Sequence, residues 1–283
     1  MKIANVLLVH KNPHQVCRLI TRLNYPDIDC WIHIDKKHDT VDFRNLILKK
    51  KVYLVQPNLK VDWGCYNTVE AMLTSIDNVL NAKENYAYIN FMSGQDYPLR
   101  PLVFFYNYLK EYNGYEFIGN RPFEESHQNI IRFKKYHFNN YTFPCKGLFE
   151  RVINKILPER KFPYPFEVRK GPQWMTLTRD AMHYILEFTY KNPRYVNYFK
   201  TVHIPDEFFF QTLLFNSPFQ KRMKNQIFHY IDWSETKNNP KTLGINDYDK
   251  LINSNLFFAR KFDETFDSSI LEAIDKNMGG INC

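Results

Sequence analysis

The sequence predicts an α/β domain built on a mostly parallel central sheet flanked by helices. Two features predict it: apolar runs of strand length, and intervening segments whose apolar residues recur at helical spacing. Ile3 to Val9 is the first strand run, and Pro13 opens a helix carrying Val16, Leu19, Ile20 and Leu23 on one face. Cys30 to Ile34 forms a second strand ending at Asp35, and Val52 to Val55 a third. Val69, Met72, Leu73, Ile76, Val79 and Leu80 share a helix face ahead of a fourth strand, Tyr86 to Met92. Strands alternating with helices give a parallel sheet, and ligands of such sheets bind beyond the carboxyl ends of the strands. His10, Asp35 and the loop Ser93 to Asp96 occupy those ends.

The later chain is less regular. Residues 120–172 hold Pro144, Pro158, Pro163 and Pro165 among aromatic and basic residues, which predicts a loop-rich insertion rather than a separate domain. Trp174 to Thr178 returns to a strand, with a helix over Arg179 to Tyr190. A helix starts at Pro205, and Gln226 to Ile231 is a strand.

The chain of 283 residues can bury a full core, and its 24 Phe, 19 Tyr and four Trp leave aromatic side chains to line a groove. The formal net charge of +8 admits nucleic acid, an anionic membrane surface or a phosphorylated small substrate as partner. Lys49 to Lys51, and Arg132 with Lys134 and Lys135, read as solvated basic faces. Five cysteines without a CxxC pair argue against a disulfide scaffold or a zinc site. The first apolar run is too short for a leader or a membrane span, and no other run reaches spanning length. The protein is therefore expected in the cytoplasm, able to dock on a membrane.

Several short motifs carry chemistry, each with a plainer alternative. Asp35 can accept from a base or ribose, or cap a turn. Asp96 is the lone carboxylate of Ser93-Gly94-Gln95-Asp96-Tyr97-Pro98-Leu99. One acid is a poor site for Mg²⁺ or Mn²⁺, so no metal site is expected, and a bound diphosphate needs another neutralising group. Arg260 and Lys261 can supply it, or lie in water on an amphipathic edge. Asp206 and Glu207 either cap the helix beginning at Pro205 or place a general base in a cleft. Trp63 beside Gly64, and Trp174 after Gly171 and Gln173, are candidate sugar platforms or core.

Together these motifs resemble a known family. The ordered set is His33-Ile-Asp35-Lys-Lys37, Val61-Asp-Trp63-Gly64, Ser93 to Leu99, Gly171-Pro-Gln-Trp174, Pro205-Asp-Glu207, Ile231-Asp-Trp233 and Phe258-Ala-Arg-Lys261-Phe-Asp263. It is similar to the core-2/I-branching β-1,6-N-acetylglucosaminyltransferases, glycosyltransferase family 14, which also includes the protein xylosyltransferases. The resemblance implies a single GT-A-like catalytic domain. Its nucleotide-binding half would cover about 1–120 and its acceptor and catalytic half about 170–265. It implies an inverting, metal-independent transferase that uses a UDP-sugar, with no cofactor, and builds a β linkage on a glycan hydroxyl. Glu207 matches the family's base, Asp35 its uridine contact, and Lys261 with Arg260 the cations that replace a metal. His10 lies on the first nucleotide-contacting loop. Asp96, Trp63, Gln173 and Trp174 match cleft motifs, and Asp206 and Trp233 lie within two more. Lys241 or Lys237 is the expected stand-in for a further diphosphate-binding Arg.

N-acetylglucosamine is the expected donor sugar. UDP-xylose is the alternative, because the stretch from Ile231 to Leu243 is closer to the xylosyltransferase branch. A chain without anchor, stem or disulfides resembles a bacterial-type member, acting on a lipid-linked or capsular glycan at the inner membrane face. A non-catalytic carbohydrate-binding protein and a single-stranded nucleic-acid binder are the competing functions.

Overall fold

The computed structural model describes residues 1–38, 43, 50–124, 126–235 and 239–279. Its strands are β1 (Lys2–Val9), β2 (Ile28–Ile34), β3 (Val52–Leu54), β4 (Tyr86–Ser93), β5 (Asp96–Pro98), β6 (Glu116–Ile118), β7 (Arg121–Pro122), β8 (Arg169–Lys170), β9 (Met175–Thr178), β10 (Met223–Lys224), β11 (His229–Ile231) and β12 (Phe258–Arg260). The described residues form a seven-stranded sheet in the order β10-β6-β9-β4-β1-β2-β3. β3, β2, β1 and β4 are parallel neighbours, as the alternating pattern predicts. β9 runs antiparallel to both β4 and β6, so the sheet is mixed. A smaller sheet joins β11, β12 and β5, and β7 pairs with β8.

Apolar residues on both faces explain why β1 lies inside the sheet, between β4 and β2. Ile3, Leu7 and Val9 face one core layer, Ala4 and Val6 the other. Helices α1 (Pro13–Arg22), α2 (Tyr66–Leu80), α3 (Leu102–Glu111), α4 (His127–Lys134), α5 (Lys146–Ile156), α6 (Arg179–Lys191), α7 (Pro193–Phe199), α8 (Phe209–Phe215), α9 (Tyr248–Ile252) and α10 (Ser269–Asn277) complete the described chain. α1, α3 and α10 supply the first layer; α2, α6, α7 and α8 supply the second. Register across the centre is pinned by a buried polar row. Asn90 Nδ2 donates to Asn5 at 2.9 Å, and the Thr176 hydroxyl donates to Asn90 at 2.7 Å. A slip of one residue would move these groups into the apolar layers, where an unpaired amide is costly.

Four expectations change. Pro205 opens a 3₁₀ turn over Pro205–Glu207, and the α-helix begins only at Phe209. The N-cap of that turn is Ile204 at φ 54°, so Asp206 is not the cap. The strand expected over Gln226 to Ile231 is confined to His229–Ile231. Residues 120–172 hold two helices, α4 and α5, and their ends meet in the β7–β8 pair. Within the basic runs, Lys51 Nζ donates to the carbonyls of Tyr25 and Pro26, at 3.1 and 2.6 Å. Lys49, Lys237 and Cys283 lie outside the described residues.

The neck of the 120–172 segment explains a motif glycine. A Cβ on Gly171 would fall 1.7 Å from the carbonyl oxygen of Gly119. The Gly171 N–H meanwhile donates to the Glu207 carbonyl at 2.9 Å. Gly171→Ala is therefore expected to destabilise the fold by about 1–3 kcal/mol. Gly147, in α5, has nothing within 4 Å of a Cβ, so Gly147→Ala should instead stabilise by up to about 1 kcal/mol. Thermal unfolding of both variants checks this; a Gly171→Ala midpoint equal to the parent's would disprove the contact.

Candidate active site

A cleft of about 710 Å³ opens at the carboxyl ends of β1 and β4. Glu207, Asp206, His10, Arg260, Lys261, Trp63, Gln173, Trp174 and Trp233 all line it. Nine of the eleven residues singled out in the sequence thus converge from distant positions in the chain. Six cationic side chains and two carboxylates face the same space, which suits a ligand carrying more than one negative charge.

One group of residues gathers around the start of α1. Asp263 accepts from Lys11 Nζ at 2.5 Å and from Asn12 Nδ2 at 2.8 Å. Burial pushes the Asp263 carboxyl up, but these partners together with Thr265 hold it well below its ordinary value. The buried Gln15 amide donates to the carbonyls of Gly94 and Phe262, at 3.0 and 3.2 Å. The 262–264 strap is thereby fixed to the end of β1, next to His10 and Lys261. Lys261 has no salt-bridge partner among the described residues. Burial lowers its pKa, and the neighbouring charges of Lys11 and Arg260 add to that. Burial likewise lowers the pKa of His10, assisted by Lys11.

Arg260 is placed by Asp96. The two are register partners in the antiparallel pair of β12 with β5. Asp96 has no solvent exposure; it accepts from the Ser93 N–H at 2.8 Å and the Ser93 hydroxyl at 2.7 Å. Arg260 Nε lies 3.6 Å from one carboxylate oxygen, and His229 Nε2 lies 3.1 Å from the other. Burial raises the Asp96 pKa, but Arg260, His229 and Ser93 outweigh it and keep the carboxyl below its ordinary value. Arg260 also stacks over the Trp174 ring, 3.9 Å from its centroid. Asp96 thus lies behind the cleft rather than on its wall.

Asp35 is also set back. Its carboxylate accepts from the Lys37 N–H at 3.0 Å and the Val61 N–H at 3.3 Å, at the buried end of β2. Lys241, the expected stand-in cation, donates to Asp247 at 2.8 Å and is not among the lining residues.

Around Glu207 the sequence reading missed the partners. Arg132 Nη1 lies 3.3 Å and Lys170 Nζ 3.4 Å from Glu207 Oε2. Arg132 was expected on a solvated face; it turns into the cleft because α4 folds back over the 3₁₀ turn, where the His203 N–H donates to the Arg132 carbonyl at 2.9 Å. Lys170 is buried, donates to Asn129 at 3.1 Å, and has its pKa lowered by desolvation. Its position immediately before Gly171 was the available clue. Arg121 and Gln128 complete this side. Trp63 reaches the same space from a turn that requires Gly64, at φ 73°, where a Cβ would strike His203 at 2.8 Å.

Asp206 is buried next to Glu207. Desolvation first, then the Glu207 charge, pushes its pKa up from 3.8 to about 7, against the pull of Arg132 and Arg260. A carboxyl raised in the folded state stabilises the fold while it is protonated. That contribution is complete below about pH 4 and is lost as pH rises through about 7. At about 1.4 kcal/mol per pKa unit, the parent loses on the order of 4 kcal/mol across this window. Asp206→Asn is neutral at every pH and lacks this term. Its stability relative to the parent should therefore rise between about pH 4 and pH 8 in denaturant unfolding. Parallel curves for the two proteins would show that Asp206 ionises at its ordinary value.

The family model for the Core-2/I-Branching enzyme matches residues 3–253. The chain is 24% identical to a xylosyltransferase of Ciona intestinalis, an alignment covering 99% of this chain and 34% of that protein. It is 25% identical to xylosyltransferase 2 of Rattus norvegicus, over 99% of this chain and 34% of that protein. It is 23% identical to a beta-glucuronosyltransferase of Arabidopsis thaliana, over 92% of this chain and 62% of that protein. The chain thus spans about a third of the length of the xylosyltransferases it matches. With the ordered motifs converging on one cleft and the family model covering most of its length, this chain belongs to the Core-2/I-Branching enzyme family.

Proposed function

We propose that the chain is an inverting glycosyltransferase that moves a sugar from a UDP-sugar to a glycan hydroxyl, with Glu207 as general base and without a divalent metal. The observation that carries this reading is the meeting, in one cleft, of a carboxylate held by two cations with a separate cation pair, Arg260 and Lys261. Glu207 takes the proton of the acceptor hydroxyl, whose oxygen bonds to the anomeric carbon from the face opposite UDP. The bond from that carbon to the diphosphate oxygen breaks, and its electron pair leaves with UDP. Arg260 and Lys261 stabilise the charge that develops there. Trp174 and Asp96 hold Arg260 in position for this, and Asp35 and His10 are assigned to the nucleotide. Trp63, Gln173 and Trp233 are assigned to the sugars. N-acetylglucosamine is the proposed donor sugar, with UDP-xylose the alternative favoured by the similarity to xylosyltransferases.

The test begins with donor identification by thermal shift against UDP-N-acetylglucosamine, UDP-xylose and UDP-glucuronate, followed by a transfer assay. Glu207→Gln keeps the size of the side chain and removes the basic oxygen. Transfer should fall by about 10²–10⁴, with donor affinity nearly unchanged. Turnover within a few-fold of the parent would remove Glu207 as the base and make Asp206 the next candidate.

A second prediction separates the cation pair from a metal. Transfer should proceed at the parent rate in excess EDTA. Lys261→Ala should weaken UDP binding by about 1.5–3 kcal/mol in calorimetry, because a charge-assisted contact is lost. Loss of activity in EDTA with rescue by Mn²⁺, or normal UDP binding by Lys261→Ala, would defeat this assignment.

A further inference from the structure

We propose that the surface formed by residues 141–157 docks the protein on an anionic lipid bilayer. Seven of the seventeen large apolar side chains exposed among the described residues fall in this stretch. α5 (Lys146–Ile156) is eleven residues long and buries none of them; Phe149 meets the rings of Phe138 and Phe143, but among the described residues the apolar face is left uncovered. Leu148, Phe149, Val152 and Ile156 recur on one side of it, with Leu148 61% and Ile156 73% exposed. Phe138, Tyr141, Phe143 and Pro144 continue that side into an apolar groove of about 700 Å³.

The charge pattern selects the partner. At about 100° per residue, Arg151 and Lys155 border the apolar stripe along one edge. The single carboxylate of the helix, Glu150, is turned inward, accepting from the Phe138 N–H at 3.1 Å and lying 3.2 Å from His137 Nδ1. An apolar stripe edged by cations, with its acid withdrawn, is the pattern of a helix lying in the headgroup plane of a negatively charged membrane.

The surface also adjoins the cleft. Asn139, next to Phe138, bonds His203 Nδ1 at 3.0 Å, and the His203 ring lies 5.5 Å from that of Trp63. Docking would therefore turn the Trp63 side of the cleft toward the bilayer, where a lipid-linked glycan presents its hydroxyls. That last clause rests on the transferase reading; the docking itself does not.

The experiment is co-sedimentation of the purified chain with vesicles of equal parts phosphatidylglycerol and phosphatidylcholine, and with vesicles of phosphatidylcholine alone. No nucleotide sugar or acceptor is added, so failure here leaves the Glu207 assignment standing, and an active Glu207→Gln leaves the docking standing. The chain should bind the mixed vesicles and release in high salt. The double variant Leu148→Ser with Ile156→Ser should lose about tenfold in partitioning while keeping the parent's melting midpoint. Should that variant fold poorly, Arg151→Gln with Lys155→Gln is used instead, and should remove the preference for phosphatidylglycerol. Absence of binding by the parent, or binding unchanged in the folded variants, overturns the proposal. So does a concentration-dependent dimer in sedimentation velocity that Leu148→Ser with Ile156→Ser abolishes while vesicles bind neither protein; the surface would then pair two copies of the chain.

Discussion

A carboxylate sealed from water governs the geometry of the cleft. Asp96 sits where the central sheet hands over to the small one, and its charge is tolerable there only because Ser93, His229 and Arg260 surround it. Removing one partner of such a buried pair destabilises a protein by about 3–5 kcal/mol, since the other charge is stranded. The same pairing fixes β12 against β5, and with it the backbone that carries Lys261. Arg260 cannot swing toward a ligand without leaving both Asp96 and the Trp174 ring. It therefore acts on the cleft as a fixed positive wall, whose orientation is set before any ligand arrives.

The two adjacent acids at Pro205–Glu207 have opposite environments. Glu207 is gripped by Arg132 and Lys170 on its open side. Asp206 is enclosed, and the neighbouring charge makes a second ionisation unfavourable. Burial and the neighbouring charge thus set Asp206 apart from the carboxylate beside it, which stays in reach of the cations of the cleft. The break at Phe208, which keeps the 3₁₀ turn from merging into α8, is what lets the two side chains take these separate surroundings.

Much of this was legible in the sequence, for definite reasons. β1, β2 and β4 are buried almost throughout and α1 and α2 along one face, so continuous apolar runs and helical spacing reveal them. Glu207, Trp63, Gln173 and Trp174 sit in compact motifs with Gly or Pro neighbours, and Arg260 and Lys261 form an adjacent cation pair between aromatic residues. What escaped notice depends on long-range contact. Arg132 looks like any surface cation until α4 folds over Glu207. Asp96 looks like a loop acid until β12 arrives, 164 positions later in the register partner Arg260. α5 carries a helical pattern, but the flanking Pro144 and Pro158 and its lack of burial disguise it among irregular residues. β9 reverses direction between β4 and β6, which no local pattern encodes.

The neck formed by Gly119, Gly171 and the β7–β8 pair has a consequence for how the protein could diversify. The chain leaves the scaffold and re-enters it at nearly the same point, so everything between hangs from a closed stem. Lengthening a closed loop adds little entropy cost, growing only with the logarithm of its length. Within that segment α4 is tied to the cleft through Arg132, but α5, which buries no residue, can be exchanged, extended or re-surfaced while the glycine contact and the Arg132 pairing keep the Glu207 turn in place. The floor of the cleft and the outward-facing helix α5 are therefore separate parts, free to change at different rates.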